Sequence, residues 1–208
     1  MTKLKVAING FGRIGRAFYK LASEREEIEI VAINDLGDIE NLAYLLRNDS
    51  IYGKWDHDVV VSAGKISVDG KESVITQERE PAKLPWGAMG VDVVVESTGF
   101  FTEFSKARCH LDAGAKRVVI SAPAKGDPVP GIESGTVLMG VNEEKLATCQ
   151  ITSNGSCTTN ATSPVIQVLH EAFGVKKAML STTHSYTASQ SLVDSPKLKD
   201  WREGRAAG

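Results

Sequence analysis

Three glycines at one spacing constrain this chain more than any other feature. Lys5-Val6-Ala7-Ile8-Asn9 reads as a buried strand and runs straight into Gly10-Phe11-Gly12-Arg13-Ile14-Gly15. A helical pattern follows from Arg16 to about Glu24, setting Phe18 and Leu21 toward a sheet and Arg16, Lys20 and Glu24 toward water. A second strand, Ile28-Glu29-Ile30-Val31-Ala32-Ile33-Asn34, ends on Asp35. Strand, glycine turn, helix and strand make one βαβ unit, which implies a parallel sheet with a right-handed crossover.

Each glycine has a physical purpose in such a turn. The first permits the tight bend, the second lets backbone approach a pyrophosphate, and the third allows helix and strand to pack closely. The helix start offers unpaired N–H groups and a partial positive charge to phosphates. Asp35, 20 residues beyond Gly15, is placed to accept a hydrogen bond from a ribose 2′-hydroxyl and to repel a 2′-phosphate, so NAD is expected rather than NADP. The bland alternative is a tight βα turn with no ligand. The strand before, the helix after and the acid beyond favour the dinucleotide.

The rest of the chain continues the α/β pattern. Asn41–Arg47 reads as a short helix, and Val59–Val61, Lys65–Val68 and Ser73–Thr76 as short strands, with Asp69-Gly70 a hairpin signal. Asp92–Glu96 and Arg117–Ser121 are strands of the kind buried on both faces, separated by a helix over Phe104–Ala113. The stretch from Ala122 to Gly135 holds three prolines and three glycines and reads as a loop, followed by a strand at Val137–Gly140. Near Gln150 the character changes. Ser153–Asn160 is small and polar, and it precedes a helix with Val165, Val168, Leu169 and Phe173 at helical spacing and a strand at Ala178–Thr182. A domain boundary is expected near residue 150.

Charge and cysteines exclude several classes of function. Lys plus Arg (24) against Asp plus Glu (26) gives a net charge of −2, without the basic excess that phosphate contacts to nucleic acid require. Three cysteines with no C-x-x-C pair argue against a disulfide scaffold or a Cys-rich metal site and for a reducing compartment. No apolar run reaches the length of a membrane span, and the N-terminus does not resemble a signal peptide. A cytoplasmic setting is expected.

Among the cysteines, Cys157 stands out. It lies in Ser153-Asn154-Gly155-Ser156-Cys157-Thr158-Thr159-Asn160, just ahead of the helical pattern, where unpaired N–H groups favour the reactive thiolate. Those groups, with the Ser156 and Thr158 hydroxyls, could hold an oxyanion or a phosphate. Core cysteines normally have apolar neighbours, and on that ground Cys109 and Cys149 are read as structural. A thiol nucleophile needs a base. His57 falls in a charged loop segment, and His110 and His170 fall in helices, where surface or packing roles are expected. His184 follows an apolar strand, and strand ends are where catalytic groups gather in α/β domains.

Taken in order, Asn9-Gly10-Phe11-Gly12-Arg13-Ile14-Gly15-Arg16, Ala32-Ile33-Asn34-Asp35, Glu96-Ser97-Thr98-Gly99, Ser121-Ala122-Pro123, Ser156-Cys157-Thr158-Thr159-Asn160 and His184-Ser185-Tyr186-Thr187 resemble phosphorylating glyceraldehyde-3-phosphate dehydrogenases. The resemblance implies a Rossmann-type doubly wound parallel sheet over residues 1–150, followed over residues 151–208 by the first part of an α+β catalytic domain. It implies Cys157 as nucleophile and His184 as base, acting on glyceraldehyde 3-phosphate, with NAD as cofactor and inorganic phosphate as second substrate. Ser156, Thr158 and Thr187 match positions that bind substrate or phosphate oxygens. Gly10, Gly12, Gly15 and the backbone of Arg13 and Ile14 match the pyrophosphate site, while Asp35, Arg79 and Ser121 match other cofactor contacts. Pro196 matches a position associated with a preference for NAD. The resemblance also implies a homotetramer. Members of the family run on well beyond a chain of this length, so the segment from Ile151 is expected to be incomplete and poorly ordered. Erythrose-4-phosphate dehydrogenase, which shares the cysteine and the histidine, is one alternative. A catalytically silent NAD-binding module is another.

Overall fold

Apolar runs without polar alternation belong in sheets covered on both faces, and β1 (Leu4–Asn9) and β2 (Ile28–Asn34) are of this kind. In the computed structural model, which describes residues 3–198 and 200–205, they pair in parallel, with Asn9 opposite Asn34. The crossover is α1 (Arg13–Ser23), which buries Gly15, Tyr19 and Ala22. That face is rotated from the expected one: Phe18 is only half-buried and Leu21 is exposed. The rotation follows from Gly15, which must face the end of β1, so its neighbours one and two turns on, Tyr19 and Ala22, face the sheet with it. Arg16, expected in water, instead turns back to donate to the Phe11 carbonyl at 2.7 Å.

Next come α2 (Ile39–Arg47), capped by Asp38, which accepts from the Asn41 N–H, and a small antiparallel ribbon of β3 (Asn48–Asp49) and β4 (Gly53–Lys54). β5 (Val59–Ser62), β6 (Lys65–Val68) and β7 (Lys71–Thr76) form an antiparallel meander. Its second turn uses Asp69 at φ +49° and Gly70 at φ +81°, the left-handed pair that a two-residue hairpin requires. β7 then returns to pair in parallel with β2.

The second half of the sheet is built from α3 (Trp86–Met89), β8 (Val93–Glu96), α4 (Phe104–Ala107), α5 (Cys109–Asp112) and β9 (Arg117–Ile120). The single helix expected over residues 104–113 is therefore two short ones. β10 (Ser134–Thr136), β11 (Ile151–Ser153) and α6 (Cys157–Phe173) follow. The expected strand at Val137–Gly140 is displaced to β10, because Asn142 turns the chain there: its Oδ1 accepts from Leu138 N–H and its Nδ2 donates to the Thr136 carbonyl.

Nine strands form one sheet in the order β10-β11-β9-β8-β1-β2-β7-β6-β5. Apolar clusters cover both faces: Ile8, Phe11, Tyr19, Ile33 and Leu46 pack in one, and Ala7, Ala32, Trp86 and Val94 in another. β2 and β8 leave β1 on opposite sides, so the chain changes winding direction between β1 and β8. In open α/β sheets, ligands bind in the crevice at the carboxyl ends of such strands.

The chain divides after Val168 into two compact units, and the sheet lies wholly in the first. In the second, no strand forms at Ala178–Thr182. Among the described residues nothing pairs with that segment, and Met179 is 98% exposed. Further on, Ser191 N–H donates to the Glu203 carbonyl and Ser195 N–H to that of Gly204, closing a loop that ends in a short turn at Trp201–Gly204.

Candidate active site

The glycine turn is built as its spacing implies. Gly10 has φ +92°, and a Cβ on it would meet Thr98 N at 2.6 Å, so only glycine lets the end of β1 lie against the segment after β8. A Cβ on Gly15 would fall 2.1 Å from the Gly10 carbonyl oxygen. Gly12 has nothing within 4 Å of its Cβ position and precedes α1 as an N-cap without a side-chain bond. The first turn of α1 also carries no acid, so its positive end is left to an external anion.

A cleft of about 490 Å³ opens over this turn, lined by Gly10, Gly12, Asp35 and Arg79 and closed from the other side by Thr98 and Phe101. The Asp35 carboxylate is held by two backbone amides, Phe11 N–H at 2.6 Å and Gly37 N–H at 2.8 Å. These features fit a dinucleotide: an open glycine backbone, an uncapped helix N-terminus and a fixed carboxylate at the end of β2. Four of the expected cofactor residues thus share one cleft. The other four do not line it. Gly15 packs against Gly10, and Ile14 is exposed. The Arg13 side chain pairs with Asp49 at 3.2 Å, and the Ser121 hydroxyl donates to the Glu96 carbonyl at 2.9 Å.

Beneath the cleft lies a polar network that the sequence reading missed. His110, expected at the surface or in packing, is fully buried and lies 2.9 Å from Glu96, itself 1% exposed. Asn9 Nδ2 donates to the same carboxylate at 2.6 Å. The available signal was Glu96 itself, a carboxylate ending an otherwise apolar strand.

Cys157 opens α6 and is exposed. The segment ahead of it is tightly specified. Ser153 Oγ donates to the Ala122 carbonyl and accepts from the Ala124 and Gly155 amides. Gly155 turns the chain at φ +70°. Ser156 Oγ accepts from Thr159 N–H at 3.0 Å, the geometry of an N-cap, and Asn160 Nδ2 ties back to the Asn154 and Ser156 carbonyls. The Ser156 hydroxyl is thus engaged in holding the helix start, while Thr158 is half-buried. β11, β9, β8 and β1 run parallel and adjacent, so Cys157 and the cleft lie toward the same, carboxyl end of the sheet. The other cysteines differ: Cys149 is buried, and burial, then the charges of Glu96 and Asp112, push the Cys109 thiol up to about 12.

His184 and Thr187 belong to the second unit and are exposed. His184 Nδ1 lies 2.6 Å from the Ser185 carbonyl. A carbonyl only accepts, so Nδ1 carries a proton. Thr187 N–H donates to Gln190 Oε1, and its hydroxyl lies 3.2 Å from that of Ser189. Among the described residues no helix is long and apolar enough to cross a membrane.

Comparison with known proteins gives the family. Residues 4–104 match the family model described as glyceraldehyde 3-phosphate dehydrogenase, NAD binding domain, and residues 156–208 match that family's C-terminal domain. A glyceraldehyde-3-phosphate dehydrogenase of Priestia megaterium is 50% identical over 206 residues, covering 98% of this chain and 59% of the relative. Glyceraldehyde-3-phosphate dehydrogenase 1 of Bacillus subtilis is also 50% identical with the same coverage, and the Haemophilus influenzae enzyme is 48% identical over 98% of this chain and 58% of its own length. The chain therefore spans 59% or so of the length of the curated relatives it matches. It belongs to the glyceraldehyde-3-phosphate dehydrogenase family, and its first unit carries that family's NAD-binding domain.

Proposed function

We propose that this protein oxidises and phosphorylates glyceraldehyde 3-phosphate to 1,3-bisphosphoglycerate with NAD. The observation that carries the reading is the exposed Cys157 at the start of α6, toward the same end of the sheet as the dinucleotide cleft. The helix start favours the thiolate, which attacks the aldehyde carbon while the carbonyl oxygen takes up the proton the thiol gave up, giving a thiohemiacetal. His184 accepts the hydroxyl proton as hydride leaves that carbon, and a thioester on Cys157 results. Inorganic phosphate then attacks the thioester and expels the Cys157 thiolate. NAD, when bound, supplies the hydride acceptor. Covalent catalysis keeps the oxidation energy in the thioester until phosphate arrives.

Asp35 is assigned to the adenosine ribose. The backbone of Gly10, Gly12, Arg13 and Ile14 is assigned to the pyrophosphate, which Gly15 serves by letting α1 approach. Arg79 and Ser121 are assigned to further cofactor contacts, and Ser156, Thr158 and Thr187 to substrate and phosphate oxygens. We place the boundary between cofactor and catalytic domains near residue 150, and the protein in the cytoplasm as a homotetramer. The family matches, which end at 104 and resume at 156, support that boundary.

The chain's share of its relatives' length favours a second reading, in which these 208 residues are a catalytically silent NAD-binding module. NADH formation from glyceraldehyde 3-phosphate and from erythrose 4-phosphate, with and without phosphate, separates the readings. Phosphate-dependent turnover that Cys157→Ser abolishes supports the dehydrogenase and names its aldehyde. NAD binding with no turnover supports the module. Turnover that survives Cys157→Ser overturns the mechanism.

A further inference from the structure

The carboxylate at the end of β8 is surrounded by donors. Glu96 Oε1 accepts from Thr98 N–H at 2.8 Å and from the Thr98 hydroxyl. Its Oε2 accepts from Asn9 Nδ2 at 2.6 Å and faces His110 Nε2 at 2.9 Å. The state of that histidine is set from behind. Trp86 Nε1 lies 3.1 Å from His110 Nδ1, and an indole nitrogen can only donate. Nδ1 is therefore the bare nitrogen, and Nε2–H donates to Glu96. Every contact to the carboxylate comes from a donor, the pattern of an ionised, acceptor-only group.

Asn9 ends β1, Thr98 follows β8, and both line the cleft. The network continues beyond Asn9. Its Oδ1 accepts from Asn34 Nδ2 at 2.7 Å, and Asn34 Oδ1 accepts from Glu78 N–H at 2.8 Å and from the Thr76 hydroxyl at 2.9 Å. The donor–acceptor sense of each link is thus dictated by its neighbour, from Trp86 to Glu78.

We propose that Glu96 is the positioning residue of the NAD cleft: one buried carboxylate, oriented by the Trp86–His110 pair, ties Asn9 to Thr98 across the point where the sheet reverses its winding. Backbone pairing of β1 with β8 holds the two cleft walls together, and that single group fixes how the Asn9 and Thr98 side chains are presented on them. The proposal rests on the first unit's being an NAD-binding domain. A glutamine at 96 has the same shape and cannot substitute. Its oxygen would keep the Thr98 donors, but its NH₂ would face the NH₂ of Asn9 and the N–H of His110. Turning Asn9 over would set its NH₂ against that of Asn34, and Asn34 is held by Glu78 and Thr76. Buried polar groups left facing like groups are costly.

The test is NAD calorimetry on the 208-residue chain at 10 °C, with unfolding midpoints measured in parallel. Glu96→Gln is expected to weaken NAD at least about tenfold, or about 1.4 kcal/mol. Ile66→Ala, in the core under the meander, serves as a destabilised control and is expected to bind NAD like the parent. Should Glu96→Gln not fold, His110 supplies the decision. Glutamine there can donate to Glu96 and accept from Trp86, so His110→Gln should stay within about threefold of the parent, whereas His110→Leu should lose about tenfold. A ¹⁵N spectrum of the unliganded chain should show the His110 proton on Nε2. Unchanged affinity in Glu96→Gln, equal affinities in the two His110 variants, or a proton on Nδ1 would each overturn the proposal. A parent chain that binds no NAD would overturn the cofactor reading and this one together.

Discussion

The carbonyl oxygen of Gly10 occupies the space where a side chain on Gly15 would begin, 2.1 Å from the Cβ position. The third glycine of the turn is therefore what lets α1 start directly over the end of β1.

Gly15→Ala should be damaging on both counts. The obstacle is backbone, so helix and strand must separate, costing about 2 kcal/mol or more and lowering the unfolding midpoint by about 4–8 °C. NAD binding should be lost with it. Gly12→Ala makes the informative contrast, since its Cβ meets nothing within 4 Å. Stability should change by less than about 1 kcal/mol, while a methyl group on the open face should weaken NAD about tenfold. Urea melts and calorimetry on both variants check the pair.

Asp35 is held by Phe11 N–H and Gly37 N–H, one on each carboxylate oxygen. Asp35→Asn keeps one acceptor and turns an NH₂ toward the other amide, which should cost about 1 kcal/mol of stability. Loss of the negative charge should also narrow the preference for NAD over NADP. Titration of the variant with both dinucleotides reads this out, and an unchanged preference would remove Asp35 from the ribose site.

The thiols should separate by reactivity. Cys157 is exposed, Cys149 is buried, and Cys109 is pushed up to about 12. At pH 8, iodoacetamide followed by peptide mass spectrometry should find Cys157 alkylated at least about ten times faster than the other two. Urea should abolish the difference.

Asp49 gives a signed pH effect. Its carboxyl is lowered from its ordinary value of 3.8 to about 2, chiefly by the Ile51 and Tyr52 amides and then by Arg13. A group depressed in the folded state adds stability above its unfolded value, and loses it as pH falls through the folded one. Asp49→Asn should therefore be less stable than the parent at pH 7, by about 1 kcal/mol at this site, where the partner Arg13 is exposed. The gap should close between pH 4 and pH 2. Thermal melts of both chains across that window test it.

Local chemistry made much of the first unit legible. Gly10, Gly12 and Gly15 carry their constraint in their own backbone, Asp69-Gly70 its turn, and Ser156 its cap, each within a few residues. The failures concern groups whose partners lie far along the chain. Glu96 meets Asn9 across 87 positions, and nothing near His110 in sequence announces that Trp86 and Glu96 enclose it. The strand expected at Ala178–Thr182 had the right residues, but a strand exists only when another pairs with it. The apolar spacing of α6 likewise describes a helix correctly without saying what covers it: Val165 and Phe173 are 57% and 83% exposed.

The uncapped start of α1 has a consequence for the protein's lifetime. With no side chain capping it and no acid in its first turn, this helix end reaches its full stability only with an anion beside it. A dinucleotide present at a hundred times its dissociation constant would add about 2.7 kcal/mol against unfolding. Because proteases act on the unfolded fraction, the amount of this chain that survives in a cell should rise and fall with the supply of NAD around it.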